Sequence, residues 1–337
     1  MNNDVASEYP RSLRRKVKDA MGDTRVVLIS GPRQAGKTTL AKKLTDAGRR
    51  YVTLDDEGVY QAALTDPVNF IRQCGHVTID EIQRAPELIR EIKIAVDADR
   101  RAGRFLLTGS ANILTIPTTS ESLAGRMAIS ELLPLAQIEI EGREGNPLDD
   151  LFEASAAPCP SGFYDVADIT DRVLAGGYPE MLARRTPERR RSWADNYMRT
   201  VLTRDFGEIM NAHHLRDAAK LLQAAAIQSA QLIVYAHIAN DLQLSTPTVQ
   251  RYVRTLEQMY LIRFLPAWHR TELKRLVRTP KLHFLDSGLL AAVRRITPDR
   301  LARDRTLLGP LLESFIFSEL LKHASWSDHA SDSYHLP

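Results

Sequence analysis

Cysteine is nearly absent from this chain: Cys74 and Cys159 are its two, far apart and outside any C-x-x-C pair. That excludes a disulfide framework and a cysteine zinc site, and it fits a reducing compartment. Long hydrophobic runs are also missing. The longest apolar patch, residues 224–239, is broken by Gln228, Ser229, Gln231 and His237, and the N-terminus holds no uninterrupted apolar segment. Neither export nor membrane insertion is expected, and the expected location is cytoplasmic. A surplus of one charge is lacking too. The 45 basic and 42 acidic residues leave a formal net charge of +3, so any argument for nucleic acid must come from local clusters. With 337 residues, the chain has room for two or three domains of roughly 100–200 residues each.

What is there begins with VVLISGPRQAGKTT at residues 26–39. An apolar run of strand type leads into a loop spaced G-x-x-x-x-G-K-T and then into a helical pattern through Leu40, Ala41 and Leu44. Such a loop turns backbone N–H groups inward on phosphates, and Gly31 and Gly36 permit the angles and close approach that a side chain blocks. Pro32, Arg33, Gln34 and Ala35 form the span. Lys37 is placed to reach β- and γ-phosphates and Thr38 to complete a Mg²⁺ shell. Thr39 follows at a helix N-terminus whose dipole favours anions. A chance glycine turn is the plain alternative, and the order strand, loop, helix argues against it.

Tyr51 to Leu54 reads as a second strand, delivering Asp55, Asp56 and Glu57 to the edge where open parallel sheets hold ligands. After a helical segment to Arg72 comes HVTIDEIQ at residues 76–83, a β-branched strand ending in Asp80 and Glu81. In that position Asp80 supports Mg²⁺, while Glu81 polarises the water that attacks a γ-phosphate. Two adjacent carboxylates alone mark only an exposed strand end. About 45 residues beyond a phosphate loop, they complete a nucleotide site. FLLTGS at residues 105–110 is a third strand, whose Thr108 and Ser110 either sense the γ-phosphate or simply end the strand. Arg126 follows Gly125 ahead of a strand at residues 127–134. It reads equally as a finger acting in trans on a neighbouring subunit and as an ordinary surface arginine.

Arg11, Arg14, Arg15, Lys16 and Lys18, around Leu13 and Val17, read as the solvated face of a helix, with a nucleic-acid role as the alternative. The basic tract at residues 184–191 carries the same two readings. Residues 141–170, rich in Pro, Ser, Ala and Asp, read as a connecting region. Helical spacing runs from Trp193 to Leu222. The adjacent His213 and His214 are structural, because neighbours do not share a helical face. Residues 234–260 read as a helix-turn-helix, with Ser245 as N-cap, Pro247 in the first turn and a buried stripe of Val249, Tyr252, Val253, Leu256 and Met259. Residues 261–265 and 268–276 would form a wing-like hairpin. In a DNA-binding version Thr246, Thr248, Gln250, Arg251 and Arg254 face the major groove, and Arg270, Lys274, Arg275 and Arg278 meet phosphates. Packing or oligomer contact is the alternative use of such a module.

GPRQAGKTT, VTIDEIQRAPEL, LLTGSAN and SLAGR, in this order, resemble the bacterial and archaeal AAA+-type ATPases whose ATP-binding domain precedes a C-terminal domain of unknown function. The similarity continues through GGYPE at residues 176–180, the helix bearing Arg204 and Asp205, PKLHFLDSGL at 280–289 and GPLLE at 309–313. The resemblance implies ATP and Mg²⁺ as ligands. It also implies a winged helix followed by a PD-(D/E)xK nuclease-like domain, of which Glu313 is a lone acidic position and the metal-binding strands are missing. The chain is thus expected to be a truncated or frameshifted form. That absence would leave Leu312, Phe315, Ile316, Phe317 and Leu320 exposed or covered by another subunit.

The expected architecture is α/β. A P-loop core of parallel sheet flanked by helices spans residues 1–140, a connecting and lid region 141–215, a winged helix 216–297, and an incomplete nuclease-like α/β domain 298–337. The expected partners are nucleotide, double-stranded DNA and further copies of the chain, without a membrane. Two functions stay open: ATP hydrolysis coupled to the winged helix, and a nucleotide-gated DNA-binding regulator with little turnover.

Overall fold

Short apolar and β-branched runs too brief for helices become the strands of the first sheet. In the computed structural model these are β1 (Val26–Ser30), β2 (Arg50–Thr53), β3 (Val77–Asp80), β4 (Phe105–Gly109) and β5 (Met127–Glu131). The structure describes residues 9–46, 48–110, 123–153, 165–206, 215–271, 275, 278–329 and 332–336. These fall into two compact units, one over residues 9–134 and one from residue 135 onward.

In the first unit the strand order is β2-β3-β4-β1-β5, and every pairing is parallel. β1, β3 and β4 are buried along their whole length, as a parallel sheet covered on both faces requires. The helices are α1 (Leu13–Asp23), α2 (Lys37–Leu44), α3 (Glu57–Thr65), α4 (Pro67–Arg72) and α5 (Leu88–Ala98). Asp56 and Asp66 cap α3 and α4 with side-chain bonds to the N–H groups of Val59 and Asn69. From α5, Leu88, Ile89, Ile92 and Val96 pack on Val26, Leu28, Ile79 and Leu107. Each such side chain contributes about 1.5–3 kcal/mol by leaving water. At the amino edge the buried Arg49 donates to the carbonyl of Val77, and Arg104 to those of Ala95 and Cys74. The opposite edge gathers Ser30, Thr53, Asp80, Gly109 and Glu131 in register.

The second unit opens with the short helices α6 (Gln137–Ile140), α7 (Pro147–Phe152), α8 (Val166–Ala175) and α9 (Pro179–Leu182), then α10 (Pro187–Val201), which runs into a π-helical turn. α11 (Leu215–Ile227), β6 (Gln231–Leu232), α12 (Tyr235–Leu242), α13 (Thr246–Gln258), β7 (Ile262–Leu265) and β8 (Lys281–Phe284) follow. The chain continues through α14 (Ser287–Val293), α15 (Pro298–Arg303) and α16 (Leu308–Trp326). One apolar core joins residues from Val173 to Leu311. The expected stripe of α13 is buried, and the Ser245 hydroxyl caps Thr248 N–H at 3.3 Å.

The expected wing needs correction. Among the described residues the partner of β7 is β8 and not residues 268–271 or 275, giving an antiparallel sheet in the order β6-β8-β7. Apolar alternation misplaced it because Pro280 and the basic residues before β8 disguised the strand start. Lys274 lies outside the described residues, as do His213 and His214. Phe317 of α16 is buried at 5% exposure, whereas Ile316 and Leu320 are indeed exposed.

Two motif segments of this unit interlock. Gly176 has a φ of +66°, and a Cβ there would collide with the Asp286 carboxylate. Asp286 accepts from Gly177 N–H at 2.7 Å and caps α14 through Leu289 N–H at 2.9 Å. Burial raises its pKa, against the pull of nearby Lys322. Lys322 Nζ in turn donates to the Leu135 carbonyl at 2.9 Å and pairs with Glu319.

His283 of β8 is fully buried, with Nδ1 3.2 Å from Ser314 Oγ and Nε2 without a hydrogen-bond partner. Burial lowers its pKa from 6.5 to about 4; Glu313 opposes this, and Lys281 and His335 add to it. The unfolded chain therefore takes up the proton first, so this contribution is whole above pH 6.5 and is lost as pH falls toward 4. Equilibrium unfolding at about pH 7 and pH 5 should show about 2 kcal/mol of such loss. His283→Gln should flatten that part of the pH dependence, and an unchanged profile in the variant would assign the loss to other groups.

Candidate functional site: a phosphate loop at the carboxyl edge of the sheet

β1 delivers the chain to the loop, and two glycines let it turn. Gly31 has a φ of +150°, and a Cβ there would strike the backbone carbonyl of Leu132, which continues β5 alongside. Gly36, at φ +97°, is the N-cap of α2. Gln34 also takes a positive φ, of 60°, which costs a non-glycine residue on the order of 1 kcal/mol or more. Pro32 and Ala35 are buried, Arg33 is half-buried, and Gln34 and Thr39 are exposed. The Lys37 side chain is buried and folds back over the loop, with Nζ donating to the carbonyls of Gly31 at 3.0 Å and Pro32 at 2.8 Å.

Asp80, at the end of β3, is 3% exposed. Thr38 donates its hydroxyl to both carboxylate oxygens at 3.1 and 3.0 Å, and Tyr51 donates to Oδ2 at 2.9 Å. Thr108 donates to Oδ1. Burial first, and then the Asp80 carboxylate, push the Tyr51 phenol well above its usual pKa. Three hydroxyls thus converge on one carboxylate, which accepts from each of them.

Glu81 leaves the strand in the left-handed region, at φ 60°, so its side chain departs from the alternation of β3. Its N–H donates to Thr108 Oγ1 at 3.1 Å. Gln83, in the 3-10 turn that follows, donates from Nε2 to Glu81 Oε2 and accepts from Ser110 N–H at 3.3 Å. Thr38, Asp80, Glu81, Thr108 and Ser110 thus form one hydrogen-bonded group, with Lys37 on the neighbouring loop.

Arg126 does not join it. It precedes β5 at the amino edge, its carbonyl accepting from Val26 N–H, and its guanidinium is paired bidentately with Asp97 of α5. That pairing raises its pKa. The five residues singled out for DNA lie on α13 in the second unit. Gln250, Arg251 and Arg254 are exposed there, while Thr246 and Thr248 are half-buried, with Thr248 Oγ1 2.7 Å from Ser245 Oγ.

Sequence reasoning missed Arg11, Tyr51 and Gln83. Arg11 donates to the carbonyls of Ala35 and Leu133, both at 2.6 Å, tying the phosphate loop to the end of β5. Its basic neighbours Arg14, Arg15, Lys16 and Lys18 are exposed on α1. The one available signal was its place before the helix, outside the amphipathic period.

Residues 23–141 match the family model of an AAA domain, and residues 166–300 match that of a domain of unknown function (DUF8612). The AAA-domain match falls mostly on the first unit. Two curated relatives, an uncharacterized protein of Mycobacterium tuberculosis and one of Mycobacterium bovis, are each 33% identical over 312 residues. That alignment covers 90% of this chain and 64% of each relative, so the chain spans under two thirds of their length. Among solved structures, a variant of RuvB from Thermotoga maritima is 20% identical with a TM-score of 0.28, covering 75% of this chain and 89% of that one. A signal transduction ATPase with a tetratricopeptide repeat sensor from Pyrococcus horikoshii is 15% identical with a TM-score of 0.32, covering 98% and 50%. At such scores neither likeness assigns anything to this chain.

Two substitutions separate shape from charge at the loop. Gly31→Ala should cost about 2 kcal/mol or more, through a positive φ and a backbone collision, read as a lower melting temperature. Arg11→Ala should leave the fold intact and reduce the stabilisation conferred by ATP, because the loop loses its tie to β5; an undiminished shift in melting temperature would remove that role from Arg11.

Proposed function

We propose that the first unit binds ATP with Mg²⁺ and hydrolyses it by in-line attack of water, coupling the nucleotide state to a winged helix in the second unit. The observation that carries this reading is the convergence of Thr38 and Thr108 on Asp80 beside a glycine-bounded loop with a buried lysine. The hydroxyl of Thr38 and the carboxylate of Asp80 are hard oxygen donors that suit Mg²⁺, which neutralises phosphate charge when bound. Lys37 would exchange its two carbonyl acceptors for phosphate oxygens. Backbone N–H groups from Arg33 to Thr39 would line the phosphates. Glu81 orients the attacking water and takes its proton as the new P–O bond forms and the bond to the β–γ bridging oxygen breaks. Thr108 and Ser110, linked to Glu81 directly and through Gln83, would transmit the loss of the γ-phosphate to β4.

For the second unit, a winged helix is supported by the order of α11, β6, α12, α13, β7 and β8, with β8 between β6 and β7. Double-stranded DNA as its ligand, assembly into homo-oligomers and Arg126 as a finger in trans belong to the same proposal. A second reading, a nucleotide-gated switch with little turnover, is favoured by Gln83, which already occupies a carboxylate oxygen of Glu81.

Thermal stability and steady-state phosphate release, on the parent and on Glu81→Gln and Lys37→Ala, test the proposal. Glu81→Gln should keep the ATP-dependent rise in melting temperature and lose hydrolysis by about 10²-fold or more, whereas Lys37→Ala should lose both. Parental turnover in Glu81→Gln would sink the assignment of the base. ATP stabilisation of the parent without turnover would favour the switch.

A further inference from the structure

A patch rich in arginine lies outside the nucleotide site. Residues 184–195 and 294–305 hold ten arginines and no lysine against four carboxylates, a surplus of six in a protein whose net charge is +3. The remainder of the chain is therefore net negative. The two segments are neighbours in the second unit. Arg295, which closes α14, pairs with Asp195 of α10 at 3.0 Å. A cavity of about 260 Å³ opens between them, lined by Pro187, Glu188 and Arg191 on one side and by Ala292, Ile296 and Asp299 on the other.

Part of this charge is consumed internally: Arg184 pairs with Glu180, Arg190 with Asp171 and Arg295 with Asp195. The rest is not. Arg185, Arg189, Arg303 and Arg305 are exposed and make no ion pair with any described residue, and Arg191 has only the exposed Glu188 nearby. Arg300 is turned back onto the carbonyls of Arg294 and Arg295, which ties the start of α15 to the end of α14. An unpaired cluster of like charge is unfavourable in the free protein and is relieved by a polyanion. Guanidinium groups, with planar forks of donors, match phosphate oxygens better than ammonium groups do. The outward face of α13 is poorer, with Arg251 lying over the Tyr252 ring and Arg254 as its other arginine.

We propose that this arginine face, formed by the first turns of α10 and by α15 with the turns on either side of it, docks the sugar–phosphate backbone of a nucleic acid. The interaction is independent of the nucleotide site, and it is distinct from base contact by α13.

The test is fluorescence anisotropy of a labelled duplex DNA with the full chain, as a function of salt. The variants are Arg189→Gln with Arg191→Gln, Arg303→Gln with Arg305→Gln, and Arg251→Gln with Arg254→Gln. Each of the first two pairs should weaken binding about tenfold or more and reduce the salt slope by about 2, since each arginine that neutralises a phosphate accounts for about one unit. The α13 pair should change the slope less. All replaced positions except Arg191 are exposed, so melting temperatures should stay at the parental value. If one arginine pair disturbs the fold, the other decides. The proposal is overturned by an absence of duplex binding, by an unchanged slope in both arginine-face variants, or by a loss confined to the α13 pair. Equal binding of labelled poly-glutamate would also overturn it, in favour of an acidic protein partner.

Discussion

Everything in the first unit hinges on one buried carboxylate. Asp80 accepts hydroxyls from α2, β2 and β4, and so fixes the phosphate loop's helix and two strands relative to β3. A carboxylate out of water demands such partners, since leaving it unpaired costs several kcal/mol. The same demand makes it responsive. Under the proposed function, a Mg²⁺ ion held by Thr38 and Asp80 would compete directly with hydroxyls that hold the strands together, so binding at this point would alter the bonds of Tyr51 and Thr108 without any long relay. The short path matters physically, because small changes within a packed parallel sheet cannot be absorbed by loose side chains.

Glu81 shows how the fold gives two adjacent carboxylates different surroundings. Had β3 continued, Glu81 would point away from Asp80 by the alternation of a strand. Instead the backbone enters the left-handed region at Glu81, and Thr108 Oγ1 secures its N–H. Thr108 therefore serves both acids, donating to one and accepting from the other. Gln83 ties the Glu81 carboxylate to Ser110 at the end of β4, so releasing that carboxylate and moving that strand end are linked through one amide side chain.

How much of this was legible follows from which interactions are local in sequence. The loop between Gly31 and Thr38 is a contiguous pattern whose spacing states its own geometry, and the buried strands announce themselves by apolar, β-branched composition. Asp80 and Glu81 could be placed because they end such a strand. Arg11 could not: its acceptors are backbone carbonyls of Ala35 and Leu133, and a carbonyl leaves no mark on sequence. Tyr51 passed as a strand aromatic until β2 was set beside β3, where its hydroxyl reaches Asp80. The strand β8 was hidden for a related reason. Its pairing with β6 and β7 is non-local, and its buried His283 looks polar in a one-dimensional pattern.

The second unit applies a different logic to the same problem of buried charge. Asp286 is enclosed completely, and its partners are backbone N–H groups of the Gly177 turn and of α14. Only a glycine at 176 leaves room for that carboxylate. Two motifs more than a hundred residues apart are therefore a single structural joint. From this joint α14 emerges, and its far end carries Arg294 and Arg295 against α10. The arginine face is thus anchored by an interior carboxylate that no solvent reaches, so its geometry persists while its charge stays outside. A charged surface mounted on a flexible loop would surrender much of its binding energy to ordering; one held by a buried joint does not.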